Sequence, residues 1–323
     1  MVASASVFCT IFFLAVYSFC SAQDLKSFNN GPFKLYYEEF GKGPALYILS
    51  GGPGEAPGSR YRQIVDSLKS FYTCILLHQR GTGKSRGIPI NQATFTIKGY
   101  TEDIECLQRI RGDVKITLLG VSWGGLLAMN YAAFHPEAVS NLILVSSAPP
   151  SYTIWNVLND NQYARRSKEE LDSMELLQNI FSKKTDRELD SLKSASPNCK
   201  EVLAHKEFIA LHVRAMYYDR RKIAKEDFDE LFFNFNFQPI PIIDKEVIET
   251  KWDITNELKK LKIPALIIYG RQDDQGESTF YLQKECLRFS EIKVIEKCGH
   301  NLLEEQPTQF FNVLMAYVKR TKG

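Results

Sequence analysis

The chain alternates short apolar runs with longer stretches in which apolar residues recur at helical spacing. Residues 33–40 (FKLYYEEF) are rich in aromatics and predict an early strand, turned by Gly41-Lys42-Gly43-Pro44. Residues 45–49 (ALYIL) are wholly apolar, which predicts a short buried strand. A glycine loop, Ser50-Gly51-Gly52-Pro53-Gly54, leads into a helix near 61–70, and residues 72–77 predict the next strand. Residues 100–111 place Ile104, Leu107 and Ile110 on one helical face, with a start near Thr101. Residues 114–119 predict a strand, 126–131 a helix and 139–145 another strand.

After Pro150 the alternation stops. Residues 151–250 are charged, aromatic and mostly helical in pattern, which marks an insertion rather than more sheet. Alternation resumes with a helix at 258–261, a strand at 264–269, a helix at 279–289, a strand at 292–295 and a helix at 307–318. Alternating strand and helix predicts an α/β fold: a mostly parallel central sheet with helices on both faces, here carrying an inserted, mainly helical lid. The expected division is a leader at 1–22, a first core part at 23–150, the lid at 151–250 and a second core part at 251–323.

The centre of this pattern is Gly120-Val121-Ser122-Trp123-Gly124, a G-x-S-x-G between a predicted strand and a predicted helix. A serine in so tight a turn takes a strained backbone, at a cost of ~1–3 kcal/mol. The flanking glycines leave room for the turn, because a Cβ there would clash. The turn lifts the hydroxyl to the N-terminus of the next helix, where free N–H groups favour developing negative charge.

Composition adds limits. With 323 residues, 44% hydrophobic and 24% charged, the chain is long enough to bury a large core without disulfides. A net charge of +2 gives no reason to expect nucleic acid or an anionic membrane as partner. Residues 7–19 (VFCTIFFLAVYSF) carry no charge and are too short to span a bilayer comfortably. With the small residues Cys20-Ser21-Ala22 behind them, they read as a secretory signal cleaved before Gln23, although the leader lacks a Lys or Arg. Secretion or periplasmic export is therefore expected, with no membrane attachment beyond the leader; an uncleaved anchor, or a lipid on Cys20, is the alternative. Five cysteines follow it: Cys74, Cys106, Cys199, Cys286 and Cys298. None has metal-site spacing, at most two disulfides are possible, and Cys74 reads as a buried thiol.

A serine needs a base to become a nucleophile, and the base needs a carboxylate to orient it. Behind an elbow of this kind the acid and then the histidine follow on loops after later strands. Gly270-Arg271-Gln272-Asp273-Asp274 follows one such strand and Cys298-Gly299-His300-Asn301 the next. His300 is the expected base, and Asp273 is preferred to Asp274 as the acid. His135 sits before Pro136 at a helix end, His205 and His212 fall in the lid, and His78 precedes the serine. Oxyanion donors are expected from the N–H of Trp123 and, in the glycine loop, of Gly52. Gly81-Thr82-Gly83-Lys84-Ser85 looks like the end of a phosphate loop, but His78 stands where its first glycine belongs and Pro89 breaks the helix it needs. No H-E-x-x-H occurs, so no zinc peptidase is indicated, and no metal or cofactor is expected. Serine rather than aspartate at the elbow argues against alkyl-enzyme ester chemistry.

Gly51-Gly52-Pro53-Gly54, Gln79-Arg80-Gly81-Thr82-Gly83-Lys84-Ser85, the 120–125 elbow and Gly270-Arg271-Gln272-Asp273 together resemble the proline iminopeptidase family of α/β-hydrolases. The resemblance covers about 33–150 and 258–319. It implies Ser122 as nucleophile, Asp273 as orienting acid, His300 as base, and Gly52 and Trp123 as the oxyanion pair. It also implies an aminopeptidase that releases an N-terminal residue, proline favoured, from small peptides. Three positions depart from the family: Ser50 replaces a histidine, His78 replaces an aspartate, and Arg214 stands where a lid glutamate would hold the substrate's α-amine. Other acidic lid residues, such as Glu207 or Asp219, could substitute. The rivals are an esterase or amidase acting on another small acyl substrate, and a binding protein that kept the fold without catalysis.

Overall fold

The computed structural model describes residues 25–322 apart from 222 and 224. The expected leader lies outside the described residues. No described helix is long and apolar enough to cross a membrane.

Eight strands form one sheet: β1 (Leu25–Asn30), β2 (Phe33–Phe40), β3 (Ala45–Leu49), β4 (Thr73–His78), β5 (Ile116–Val121), β6 (Val139–Val145), β7 (Ala265–Gly270) and β8 (Ser290–Ile295). Their order is β1-β2-β4-β3-β5-β6-β7-β8. The pairs from β4 through β8 are parallel, while β1 and β2 are antiparallel additions at one edge. In β3 the alternation of a strand serves two cores at once. Tyr47 and Leu49 pack with α2 (Ile97–Arg111), α3 (Trp123–Phe134) and α11 (Glu277–Cys286). Leu46 and Ile48 pack on the other face with α1 (Ser59–Leu68) and α13 (Pro307–Lys322). Each such buried side chain stabilises the fold by about 1.5–3 kcal/mol, which is why β3 is an unbroken apolar run.

Several boundaries shift from their expected places. Val114 is 87% exposed and lies outside β5, so the strand begins two residues later. α2 starts earlier than expected, because Thr96 rather than Thr101 caps it and accepts from the Gly99 N–H. Ile110 is exposed, so the buried face of α2 runs through Tyr100, Ile104 and Leu107. The segment around Gly81 is a tight turn, closed by the Gly81 N–H donating to the Ser85 carbonyl.

Between β6 and β7 the described residues form α4 (Val157–Ala164), α5 (Lys168–Phe181), α6 (Asp186–Ala195), α7 (Lys200–Arg214), α8 (Lys225–Asn234), α9 (Pro239–Glu249) and α10 (Thr255–Leu258), with no strand among them. The inserted helices have an apolar cluster of their own, in which Phe232 and Tyr217 pack with Val202, Val213 and Phe228. Tyr163, Tyr218 and Phe233 are exposed. His205 and His212 are both packed inside this segment, and burial pushes each ring down to about 4. Cys106, Cys199 and Cys286 are free thiols, and Cys74 is buried in β4.

Candidate active site

Ser122 sits between β5 and α3 with φ 53° and ψ −117°, a left-handed conformation that a side chain adopts only under strain. Hydrogen bonds hold it there. Its N–H donates to Val145 O (2.9 Å), and its carbonyl accepts from Gly125 (2.9 Å) and Ala148 (3.0 Å). The glycines are required on both sides. A Cβ on Gly120 would collide with the Gly124 backbone, and one on Gly124 would collide with the Leu49 and Ser50 carbonyls. The elbow is therefore pressed directly against the end of β3, where the glycine loop begins.

That loop places Gly51 beside the serine. A side chain on Gly51 would meet Ser122 Cβ at 3.5 Å and Glu55 Oε2 at 2.7 Å, so both groups border the same small space. Glu55 is only 6% exposed. It accepts from the Tyr61 hydroxyl (2.7 Å) and pairs with Arg60, while Tyr61 Oη itself accepts from the Gly51 N–H (2.8 Å). Sequence reasoning missed Glu55. The signal was its place immediately after Gly51-Gly52-Pro53-Gly54. Gly52 has φ +117°, and a Cβ there would clash with the Gly54 and Glu55 backbone nitrogens. Trp123 opens α3, so its N–H has no intrahelical acceptor. Its indole donates to Gln79 Oε1 (3.1 Å), and Gln79 in turn donates to Ser50.

Asp273 follows β7 and His300 follows β8. They meet through His300 Nδ1 and Asp273 Oδ1 at 2.9 Å, both buried. Asp274 Oδ1 lies 3.4 Å from the same nitrogen. Burial opposes the charge on Asp273, but His300 beside it prevails and holds the carboxyl below its ordinary value. Burial likewise opposes the charge on His300, yet Asp273, with Asp274 adding, raises the ring to about 9. Asp274 is pushed up to about 6 by burial and by its neighbour Asp273. Among the described residues no hydrogen bond joins His300 to Ser122. Catalytic hydrogen bonds are often long until substrate arrives.

The inserted segment touches each of these loops. The Asn236 N–H donates to Gly54 O (2.9 Å) and its side chain to Gly81 O (2.9 Å). The His300 N–H donates to Met216 O (2.8 Å), and Gln162 Nε2 donates to Asp274 Oδ2 (2.6 Å). The two departures in the core are structural. Ser50 Oγ bonds to Glu55 O (2.8 Å), and His78 Nε2 pairs with Glu38 (3.1 Å) in the sheet. In the insertion, Arg214 pairs with Glu207 and Arg221 with Asp219, so both acidic candidates there already face an arginine.

A parallel sheet of this order, with a strained serine at the mouth of α3 and an Asp–His pair at later strand ends, defines a hydrolase, serine-type by its fold. The α/β-hydrolase fold family matches residues 44–307, and the chain belongs to that family. The proline iminopeptidase of Lactobacillus helveticus is 25% identical over 297 residues, which cover 88% of this chain and 94% of that one. A cis-3-alkyl-4-alkyloxetan-2-one decarboxylase of Shewanella oneidensis is 23% identical over 301 residues, 90% of this chain and 86% of that one. Among solved structures, a proline iminopeptidase of Mycobacterium smegmatis aligns over 92% of this chain and 98% of its own with a TM-score of 0.66 at 19% identity. The chain is thus proline iminopeptidase-like along nearly its whole length.

Proposed function

We propose that the chain is a secreted aminopeptidase that releases an N-terminal residue, proline favoured, from small peptides through an acyl-enzyme on Ser122. The observation that carries this reading is the strained Ser122 together with the Asp273–His300 pair, in a chain similar to iminopeptidases over most of its length. In this scheme His300 takes the serine proton as Oγ attacks the scissile carbonyl, and Asp273 fixes the ring tautomer and stabilises the imidazolium. The N–H groups of Gly52 and Trp123 hold the oxyanion. Gly52 is favoured over Gly51 because the Gly51 N–H is already bonded to Tyr61. His300 then returns its proton to the leaving amine, and water releases the residue. The buried Glu55 borders the same space as Ser122, and to hold a substrate α-ammonium, which needs a partner on leaving water, it would have to share its pairing with Arg60.

The test compares a free-amine prolyl amide with its N-acetylated form. Cleavage of the free form alone is expected; equal cleavage of both would remove the aminopeptidase assignment. A second reading, an esterase or amidase on another small acyl substrate, is favoured by the arginines that face Glu207 and Asp219 in the insertion, and it would then take over. Labelling of Ser122 by a fluorophosphonate separates both from a non-catalytic binding protein. For export, the mature chain is expected to begin at Gln23. N-terminal sequencing that finds Met1 on secreted protein would overturn that cleavage.

A further inference from the structure

His300 stands on a loop whose backbone is held by the insertion. Its N–H donates to Met216 O (2.8 Å), and the turn that carries Met216 packs on Gly299 just before it. A Cβ on Gly299 would collide with the Met216 carbonyl and would meet the Tyr218 nitrogen and Glu305 Oε1 at 2.9 Å each. The same turn is fastened a second time, by a carboxylate of the core. Glu305 ends α12 (Leu302–Glu305), the short helix that follows His300, and is only 4% exposed. Its Oε1 accepts from the Gly299 N–H (2.7 Å), and its Oε2 accepts from the N–H groups of Tyr218 (2.8 Å) and Asp219 (3.3 Å).

One side chain thus grips the loop of the base with one oxygen and the insertion with the other. Only an ionised carboxyl accepts on both oxygens at once, and its bonds to N–H groups are about twice as strong as those between neutral groups. Glu304 beside it accepts from the Tyr217 hydroxyl. Tyr217 is packed into the insertion's own apolar cluster with Phe232 and Val213, so the turn belongs to that cluster and moves with it. Asp273 bonds the imidazole at Nδ1 (2.9 Å), which sets the rotation of the ring but not the place of the backbone that carries it. That place is left to the bonds at Gly299 and His300, and both lead to the insertion.

We infer that Glu305 is a positioning residue for the base: it clasps the turn at 216–219 to the loop at 299–300, so that His300 is placed for Ser122 only while the insertion is docked. This rests on the reading of His300 as the base. Glu305 touches no reacting atom; it acts through the backbone of Gly299 and His300. A base works only within hydrogen-bond reach of the proton it takes, and a displacement of about 1 Å costs on the order of a hundredfold in rate. Since Glu305 is buried behind the loop, its loss falls on the chemical step, not on the hold on substrate.

The experiment measures kcat and KM on p-nitrophenyl butyrate, together with backbone hydrogen exchange, for the parent, Glu305→Gln, Glu305→Ala and His300→Ala, each well below its own Tm. Glu305→Ala should lose on the order of a hundredfold in kcat, with KM within about threefold of the parent. Glu305→Gln keeps the shape and one acceptor, so it should lose less, about tenfold. In both, exchange should quicken at 216–219 and 299–300 while β7 and β8 stay protected. Exchange that quickens throughout the chain overturns the proposal, because Glu305 would then support the whole fold. A loss that falls on KM instead of kcat overturns it too. Parental kcat in Glu305→Gln and Glu305→Ala, beside an inactive His300→Ala, sinks the clasp and leaves the base in place. An active His300→Ala removes the histidine base, and this proposal with it.

Discussion

Replacing Ser122 by glycine should make the protein inactive and more heat-stable than its alanine counterpart. The residue holds φ 53° and ψ −117°, which costs a side chain ~1–3 kcal/mol. It cannot relax, because Val145, Gly125 and Ala148 grip its backbone. Alanine keeps that strain and glycine removes it, while glycine gives the unfolded chain extra freedom worth ~0.5–1 kcal/mol. The balance favours glycine over alanine by ~0–2 kcal/mol. In a chain of 323 residues, 1 kcal/mol corresponds to about 2 °C in Tm, so a rise of up to about 4 °C is expected. Both variants lack the nucleophile and should lose at least ~10⁴-fold in turnover. Scanning calorimetry at one scan rate, alongside ester hydrolysis, measures both effects. A glycine variant that melts below the alanine variant refutes the strain argument, and an alanine variant with parental turnover refutes the nucleophile.

Four further outcomes follow from the same geometry. Turnover should rise with pH and level off only above the ordinary histidine value of ~6.5, because the working His300 is neutral and its ring is raised to about 9; a rate already flat at pH 6 would contradict this. Since the folded ring is raised, His300 also stabilises the fold fully below ~6.5 and loses that contribution as pH rises through about 9, so the Tm gap between parent and His300→Gln should shrink from pH 6 to pH 9.5. Gly124→Ala drives a Cβ into the Leu49 and Ser50 carbonyls and should lower stability by ~1–3 kcal/mol or more, read as a lower Tm; an unchanged Tm would mean the elbow is not packed on β3 as described. Asn236→Ala removes the side-chain bond to Gly81 O from a residue only 5% exposed, so hydrogen exchange should quicken around α8 and the 51–58 loop while β3 and β5 stay protected; uniform acceleration would show that Asn236 supports the whole fold instead.

What was legible in the chain was whatever a short window of residues enforces. β3 is apolar throughout, and β6 is apolar from Leu142 to Val145, because both faces are covered there. Gly120 and Gly124 are legible for a related reason, since backbone lies where their side chains would be and only glycine fits. β1 left no such mark. It is an edge strand (LKSFNN) in which Phe28 alone is fully buried, so it shows no run and no clear alternation. The start of α2 was misplaced because Thr96 and Thr101 are both plausible caps. Which one caps the helix depends on the burial of Ile97 and Tyr100 in the core, and that is a tertiary fact.

The site divides in the same way. Ser122, Asp273 and His300 could be proposed from the sequence because the order of strands fixes the order of the loops that carry them. Gln162 and Asp274 are 112 residues apart and share no local pattern, so their contact was invisible until the chain was folded. The same is true of Asn236 and Gly81. These long-range bonds change what the insertion is. A cover that merely rested on the core would touch it through exposed side chains. Here the insertion supplies buried hydrogen bonds to the glycine loop through Asn236, to Asp274 through Gln162, and to the backbone of His300 through the Met216 carbonyl. An unmade buried bond of this kind costs ~1–3 kcal/mol, enough to shift a loop that must be placed within a fraction of an ångström. An insertion exchanged for another to change specificity must therefore keep those three anchors; otherwise it shifts His300, Asp274 and the glycine loop before it alters the pocket.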